Sequence, residues 1–162
     1  MHLYLLRHAK SSWDNPNLGD FDRPLNKRGQ KSAPLMGSVL KERKIKPDKI
    51  LCSPSVRTKE TLELVLGTSK LKSPVEFVDG IYDASVGDLR SILRKQETDD
   101  QSILMIGHNP GMEGLLDNLT GIWERFPTAC LAHIILDLEE WGDLKPGCGK
   151  LNWILRPKEL VS

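Results

Sequence analysis

The chain has no apolar run of the roughly 18 residues that a bilayer span requires, so no membrane span is expected. Its first apolar stretch stops at Leu6, short of the roughly 7–15 residues of a secretory core, and a cytoplasmic location is the expectation. Net charge is missing too: Lys+Arg 23 against Asp+Glu 22 leaves a formal +1. So balanced a chain has no overall field to draw it to nucleic acid or to a membrane surface, and any attraction for anions has to be local. Cysteine is scarce. Cys52, Cys130 and Cys148 are odd in number and far apart, with neither a disulfide framework nor zinc-ligand spacing, which leaves them as small core residues or free thiols. No internal repeat and no low-complexity linker divides the 162 residues, a length ordinary for one domain, and 1–162 is read as a single domain.

What is present is an alternation of two periods. Short apolar runs at Leu3–Arg7, Lys49–Cys52, Val75–Val78, Ser102–Ile106, Ala132–Leu138 and Leu151–Leu155 predict strands. Helices are predicted between them. Asn26 caps a segment running towards Arg43, which Pro34 is expected to kink or restart. Ser53 and Pro54 read as cap and first turn of a helix to about Leu66. Ser85 with Asp88 opens a third helix to about Lys95, and Asn109–Pro110 a fourth to about Leu119. Strands alternating with helices imply an α/β fold, a three-layer α/β/α sandwich on a mostly parallel sheet. The turn residues Trp141–Gly142–Asp143 and Pro146–Gly147 between the last two strands predict an antiparallel hairpin at its edge.

Ligands of open α/β sheets bind outside the carboxyl ends of the strands. The first strand ends in Arg7–His8. The second runs into "CSPSVRTKET", with Arg57 in the first turn of the next helix; the third into "DGIYDAS", with Tyr82 and Asp83; the fourth into "IGHNPG", with His108 at a helix start. A buried strand can reach the surface in charge for no further reason. Arg57 argues otherwise, because a cation facing the positive end of a helix dipole is mildly unfavourable, by some tenths of a kcal/mol, until an anion binds. Helix N-termini are themselves anion sites. Arg7, His8, Arg57 and His108 converging on one sheet edge suit a phosphoryl group, which Arg grips with a bidentate geometry that Lys lacks. A neutral imidazole among such arginines is a candidate nucleophile. The acids near the motifs, Asp14, Asp20 and Asp22, show no metal-ligand pattern. His2 and His133 have no such company and read as structural.

Together "LLRHA", "SPSVRTKET" and "GHNPG" resemble, in order and spacing over nearly the whole chain, the histidine phosphatase superfamily, with its phosphoglycerate-mutase-like fold. The small size, "RHAKSSW" and "DFDRPLNKRG" resemble its compact SixA-type branch of phosphohistidine phosphatases. Ala9, where most relatives carry Gly after the histidine, fits that branch. The resemblance implies a metal-independent enzyme without cofactor. It implies that His8 becomes phosphorylated and that Arg7, Arg57 and His108 complete the phosphate pocket. Larger relatives place a Glu general acid after the third strand; the nearest equivalent is Asp83. Arg23, Lys10 and Asn109 are further candidates for holding substrate. The expected activity is hydrolysis of a phosphomonoester or phosphoramidate, with a phosphohistidine-bearing protein as the expected partner. A phospho-ligand binding module without turnover, and a small-molecule or sugar phosphatase, remain as alternatives.

Overall fold

The computed structural model describes residues 1–160. Six strands, β1 (His2–Arg7), β2 (Lys49–Cys52), β3 (Val75–Phe77), β4 (Ser102–Gly107), β5 (Leu131–Leu136) and β6 (Gly149–Leu155), form one sheet in the order β3-β2-β4-β1-β5-β6. The pairs β3–β2, β2–β4 and β4–β1 are parallel, and β5 runs antiparallel to both β1 and β6. Four helices connect them: α1 (Lys27–Glu42), α2 (Val56–Ser69), α3 (Val86–Arg94) and α4 (Gly111–Thr120).

The central strands are buried on both faces, and successive residues enter opposite cores. Leu3 and Leu5 of β1, Leu51 of β2, and Ile103 and Met105 of β4 pack with Leu89 and Leu93 of α3 and Leu115, Leu116 and Leu119 of α4. Tyr4 and Leu6, Ile50 and Cys52, and Leu104 and Ile106 pack with Met36 and Leu40 of α1 and Leu62 and Val65 of α2. A sheet between two helical layers is the sandwich anticipated from the sequence, with its antiparallel pair at the edge. Cys52 and Cys130 are buried, Cys148 half-buried, and all three are free thiols.

The boundaries differ from expectation in ways that have causes. The edge hairpin is shifted two residues towards the N-terminus: β5 ends at Leu136 and β6 begins at Gly149, with one more cross-strand hydrogen bond from Asp137 N–H to the Cys148 carbonyl at 3.0 Å. Pro34 does not break α1, which runs unbroken through it. Its carbonyl accepts hydrogen bonds from Ser38 Oγ at 3.2 Å and, across the helix interface, from Thr68 Oγ1 at 2.7 Å. The buried face of Ala33, Met36, Gly37, Val39 and Leu40 holds the segment helical despite the missing amide. The cap of α2 is Ser55, which accepts from Thr58 N–H, and not Ser53. Ser85 and Asp88 form the reciprocal capping box of α3. Asn109 lies just outside α4, where its Oδ1 accepts from Glu113 N–H at 3.1 Å.

Helices α1 and α2 meet at Gly37, where an added Cβ would overlap both Thr68 Oγ1 and the Val65 carbonyl. Val65 O is backbone and cannot turn aside. Overpacking of this kind costs about 1–3 kcal/mol, and a β-branched replacement recovers little helix propensity. Gly37→Val is expected to lower the unfolding free energy by about 2 kcal/mol, moving the urea midpoint without changing the slope. An unchanged midpoint would mean that the two helices are not in this contact.

Candidate active site

Strand pairing brings three chain segments to one level. Arg7 of β1 lies opposite Gly107 of β4, and Cys52 of β2 opposite Ile106. The ladders continue one step further, His8 N–H donating to Gly107 O and Ser53 N–H to Ile106 O, both at 3.0 Å. His8, Ser53 and His108 therefore emerge side by side. The rings of His8 and His108 lie 5.3 Å apart, centroid to centroid.

The His8 ring is buried. Its Nδ1 sits 2.7 Å from the Ala9 carbonyl. A carbonyl only accepts, so Nδ1 carries the proton and Nε2 is left with its lone pair. Nε2 faces Arg57, whose Nε lies 3.4 Å away. Burial is the main cause that pushes the His8 pKa down to about 3. The Ala9 carbonyl opposes it, and His108, Arg57 and Arg7 add to the fall. Burial, then Arg57, likewise holds His108 at about 4. Both rings are neutral at pH 7.

Arg57, the second residue of α2, is buried and aimed by Asp20. Its Nη1 donates to the Asp20 carbonyl at 2.7 Å and its Nη2 to Asp20 Oδ2 at 3.0 Å. Asp20 also accepts from Tyr82 OH at 2.5 Å and pairs with Arg23 Nη1 at 2.8 Å. The Tyr82 hydroxyl foremost, with Arg57 and Arg23, pulls Asp20 down to about 2, so it is ionised and not a proton donor. Arg7 Nη1 donates to the Phe126 carbonyl at 3.2 Å. Two buried polar atoms have no partner among the described residues: Arg7 Nε and His108 Nδ1. His108 Nε2 lies 2.8 Å from Ser53 Oγ. Buried donors are rarely left unpaired, and two orphaned atoms at one place are what a bound acceptor would satisfy.

These groups line a cleft of about 210 Å³ in which every charged residue is a cation: Arg7, Lys10, Arg23 and Arg57. Lys10 is exposed at the rim. Arg23 lines the cleft with each guanidinium nitrogen engaged, by Ser12 O, Ser11 Oγ and Asp20, and its guanidinium stacks 3.2 Å from the Trp13 ring centroid. It acts as a clamp on the loop after β1. Asn109 also lines the cleft, but its amide is engaged internally, Nδ2 donating to Phe126 O at 2.8 Å.

Asp83 is the exception among the candidates. It is exposed and does not line the cleft. It sits at φ 55, and this left-handed turn follows Tyr82, whose ring lies edge-on 5.4 Å from His108. The segment that the third strand sends to the site delivers Tyr82. The residues that sequence reasoning missed are Ser53, taken for a helix cap, and Asp20, weighed only as a metal ligand. The spacing of Asp20 and Arg23, three residues apart around one tight turn, was the available signal for the second. Among the described residues, no group of three His, Cys, Asp or Glu side chains is placed to hold a metal ion.

Comparison with known proteins meets this geometry. The model of the histidine phosphatase superfamily (branch 1) matches residues 3–110. A chloroplastic protein of Arabidopsis thaliana is 33% identical over 98% of this chain and 79% of its own length. The phosphohistidine phosphatase SixA of Escherichia coli is 28% identical over 99% of this chain and 96% of its own. A solved structure of the protein histidine phosphatase SixA complexed with tungstate superposes with a TM-score of 0.86 at 28% identity, covering 99% of this chain and 100% of that one. The six-stranded, mostly parallel sheet with its antiparallel edge is the phosphoglycerate-mutase-like fold. The chain belongs to branch 1 of the histidine phosphatase superfamily, and its activity is that of a phosphatase.

Proposed function

We propose that the chain is a metal-independent phosphohistidine phosphatase that works through a covalent phosphohistidine on His8. The observation that carries this reading is the pairing of His8 Nδ1 with the Ala9 carbonyl. It leaves Nε2 as a neutral nucleophile inside a cationic cleft whose lining contains no carboxylic acid.

In the first step the Nε2 lone pair attacks phosphorus. The new N–P bond forms as the bond to the departing nitrogen breaks, and the departing ring, already protonated on its other nitrogen, keeps the bonding pair and leaves as neutral imidazole. In the second step water attacks the phosphohistidine, the pair returns to Nε2, and phosphate leaves. Arg7 Nε and the Arg57 guanidinium hold the phosphoryl oxygens. His108 Nε2 pairs with Ser53 Oγ; with the hydroxyl as donor, the His108 proton stands on Nδ1 and gives a third donor. Such donors act where charge develops, and the burial of His8, Arg57 and His108 strengthens their effect.

The missing acid favours the substrate class. An alkoxide is a poor leaving group, and a positioned acid is commonly worth about 10²–10⁴-fold for it. A phosphohistidine ring protonated on its other nitrogen releases neutral imidazole, whose conjugate-acid pKa is near 6.5, and needs no enzymic acid. The homologue named for phosphohistidine and the one solved with tungstate, a tetrahedral oxyanion shaped like phosphate, support the same reading.

In EDTA, a phosphohistidine peptide is expected to be hydrolysed with kcat/KM at least tenfold above phosphoserine peptides and sugar phosphates, on the leaving-group argument. His8→Ala should abolish turnover, and rapid quench of wild type should trap phosphate on His8, labile to acid and stable to base. Label on another residue, or a metal requirement, would sink the mechanism.

Arg57→Lys keeps the charge but loses the fork that Asp20 orients. The expected loss in kcat/KM corresponds to about 2–4 kcal/mol of transition-state stabilisation. A near-wild-type value would remove Arg57 from the phosphoryl site.

The pH dependence follows from the direction of the histidine shifts. An ordinary histidine is only about 3% neutral at pH 5. His8, with its pKa lowered to about 3, stays neutral there. Heteronuclear NMR of the free protein should show the His8 ring as the Nδ1–H tautomer, unchanged from pH 7 down to about 4.5 by that shift. Protonation near pH 6.5 would contradict the buried site described above.

A further inference from the structure

Beside the phosphoryl cleft lies a second depression of about 390 Å³, continuous with the first through Arg7, Lys10, Asn109 and Thr128. Its outer wall carries Arg28 from the first turn of α1, Arg125 from the loop after α4, and Lys158 from the turn after β6. All three are exposed, and none forms an ion pair among the described residues. The nearby carboxylates of Glu124 and Glu159 are both taken by Arg156. Glu113 is the one carboxylate in the wall, and it acts on Arg7.

Packing does not explain this gathering of charge. Arg28 faces the positive end of α1, whose first turn contains no acid, so the helix dipole opposes it. Like charges converging on a concave surface repel one another and focus a positive potential into it. The whole chain has a net charge of only +1, so the concentration is local. An anion in the depression would reverse every one of these penalties. The recess runs on from the phosphoryl cleft across the surface, so a ligand that fills both has to extend. Large apolar side chains stand exposed near both: Trp13 lines the cleft at 73% exposure, and Trp123, two residues before Arg125, is 65% exposed.

We infer that the depression formed by Arg28, Arg125 and Lys158 is a second anion site, which reads carboxylates flanking the phosphorylated residue of a polypeptide substrate. The inference rests on the phosphohistidine reading for the identity of the scissile group, and on the groove alone for the second contact. The wild-type enzyme then prefers phosphohistidine peptides with flanking Asp and Glu over the same peptides with Asn and Ala. The preference acts through KM and weakens with salt.

The test compares wild type with Arg28→Glu and with the double variant Arg125→Glu/Lys158→Glu on three substrates: the acidic peptide, the neutral peptide and p-nitrophenyl phosphate. Wild type should favour the acidic peptide by about tenfold in kcat/KM at low salt, and charge reversal should erase or invert that preference. Hydrolysis of p-nitrophenyl phosphate should stay within about twofold, because these side chains stand outside the phosphoryl cleft, and it reports an intact fold. Equal treatment of the two peptides by wild type, or a preference that survives charge reversal, would overturn the inference. So would a parallel loss on p-nitrophenyl phosphate, or a larger gain from a second phosphate on a small sugar than from the acidic flank. Should no phosphohistidine peptide be hydrolysed, the reading of the preceding section falls by itself. Acidic and neutral phosphotyrosine peptides, compared as inhibitors of p-nitrophenyl phosphate hydrolysis, then decide the groove: tighter inhibition by the acidic peptide upholds it, and equal inhibition overturns it.

Discussion

The in-register parallel pairing of β2, β4 and β1 is the constraint from which the rest follows. Gly107 stands opposite Arg7, and Ile106 opposite Cys52. The next residues of the three strands, His8, His108 and Ser53, are therefore delivered to one place without any loop having to find it. Burial on both faces locks this register. Leu3 and Leu5 fill one core while Tyr4 and Leu6 fill the other, so a slip of one residue would send every side chain of β1 into the wrong layer. The precision of the site is inherited from the apolar cores beneath it.

Above that platform the fold accepts an electrostatic liability. Arg7, Arg57, His8 and His108 crowd together, partly or wholly out of water, and the two rings respond by giving up their protons. Asp20, through its carbonyl and carboxylate, is the counterweight that holds Arg57 with its Nε turned towards His8. Arg7 Nε and His108 Nδ1 are left without partners among the described residues. A protein optimised for stability alone would not gather these groups, and strained or unsatisfied sites of this kind are where function departs from local consistency. A tetrahedral oxyanion answers each part of the liability at once.

Much of this was legible in the chain itself. Strand positions followed from short apolar runs, α3 from Ser85 and Asp88, and the edge hairpin from its turn residues. The cluster of Arg7, His8, Arg57 and His108 followed from reading what comes after each strand. Where the reading failed, a tertiary contact had overruled a local signal. Pro34 stayed helical because α2 lies against α1 and Thr68 reaches its carbonyl. Ser53 is a partner of His108 because Ser55, two residues on, is better placed to cap α2. Asp83 missed the site because a left-handed turn follows Tyr82, and it is the tyrosine that meets Asp20.

The sequence by itself determined the periodicities, hence the layers, and the order in which charged residues leave the strand ends. Those properties are local, because they depend on how each side chain partitions between water and an apolar face. Only the tertiary structure decided which nitrogen of His8 is unprotonated, which carboxylate aims Arg57, and which cations share a groove. Those depend on hydrogen-bond geometry and on Coulomb interactions between groups far apart in the chain. Ala9 is adjacent to His8, yet its carbonyl fixes the tautomer only because the backbone after β1 is held in place from elsewhere in the chain, by Gly107 O accepting from His8 N–H and by Thr61 Oγ1 accepting from Ala9 N–H, both at 3.0 Å.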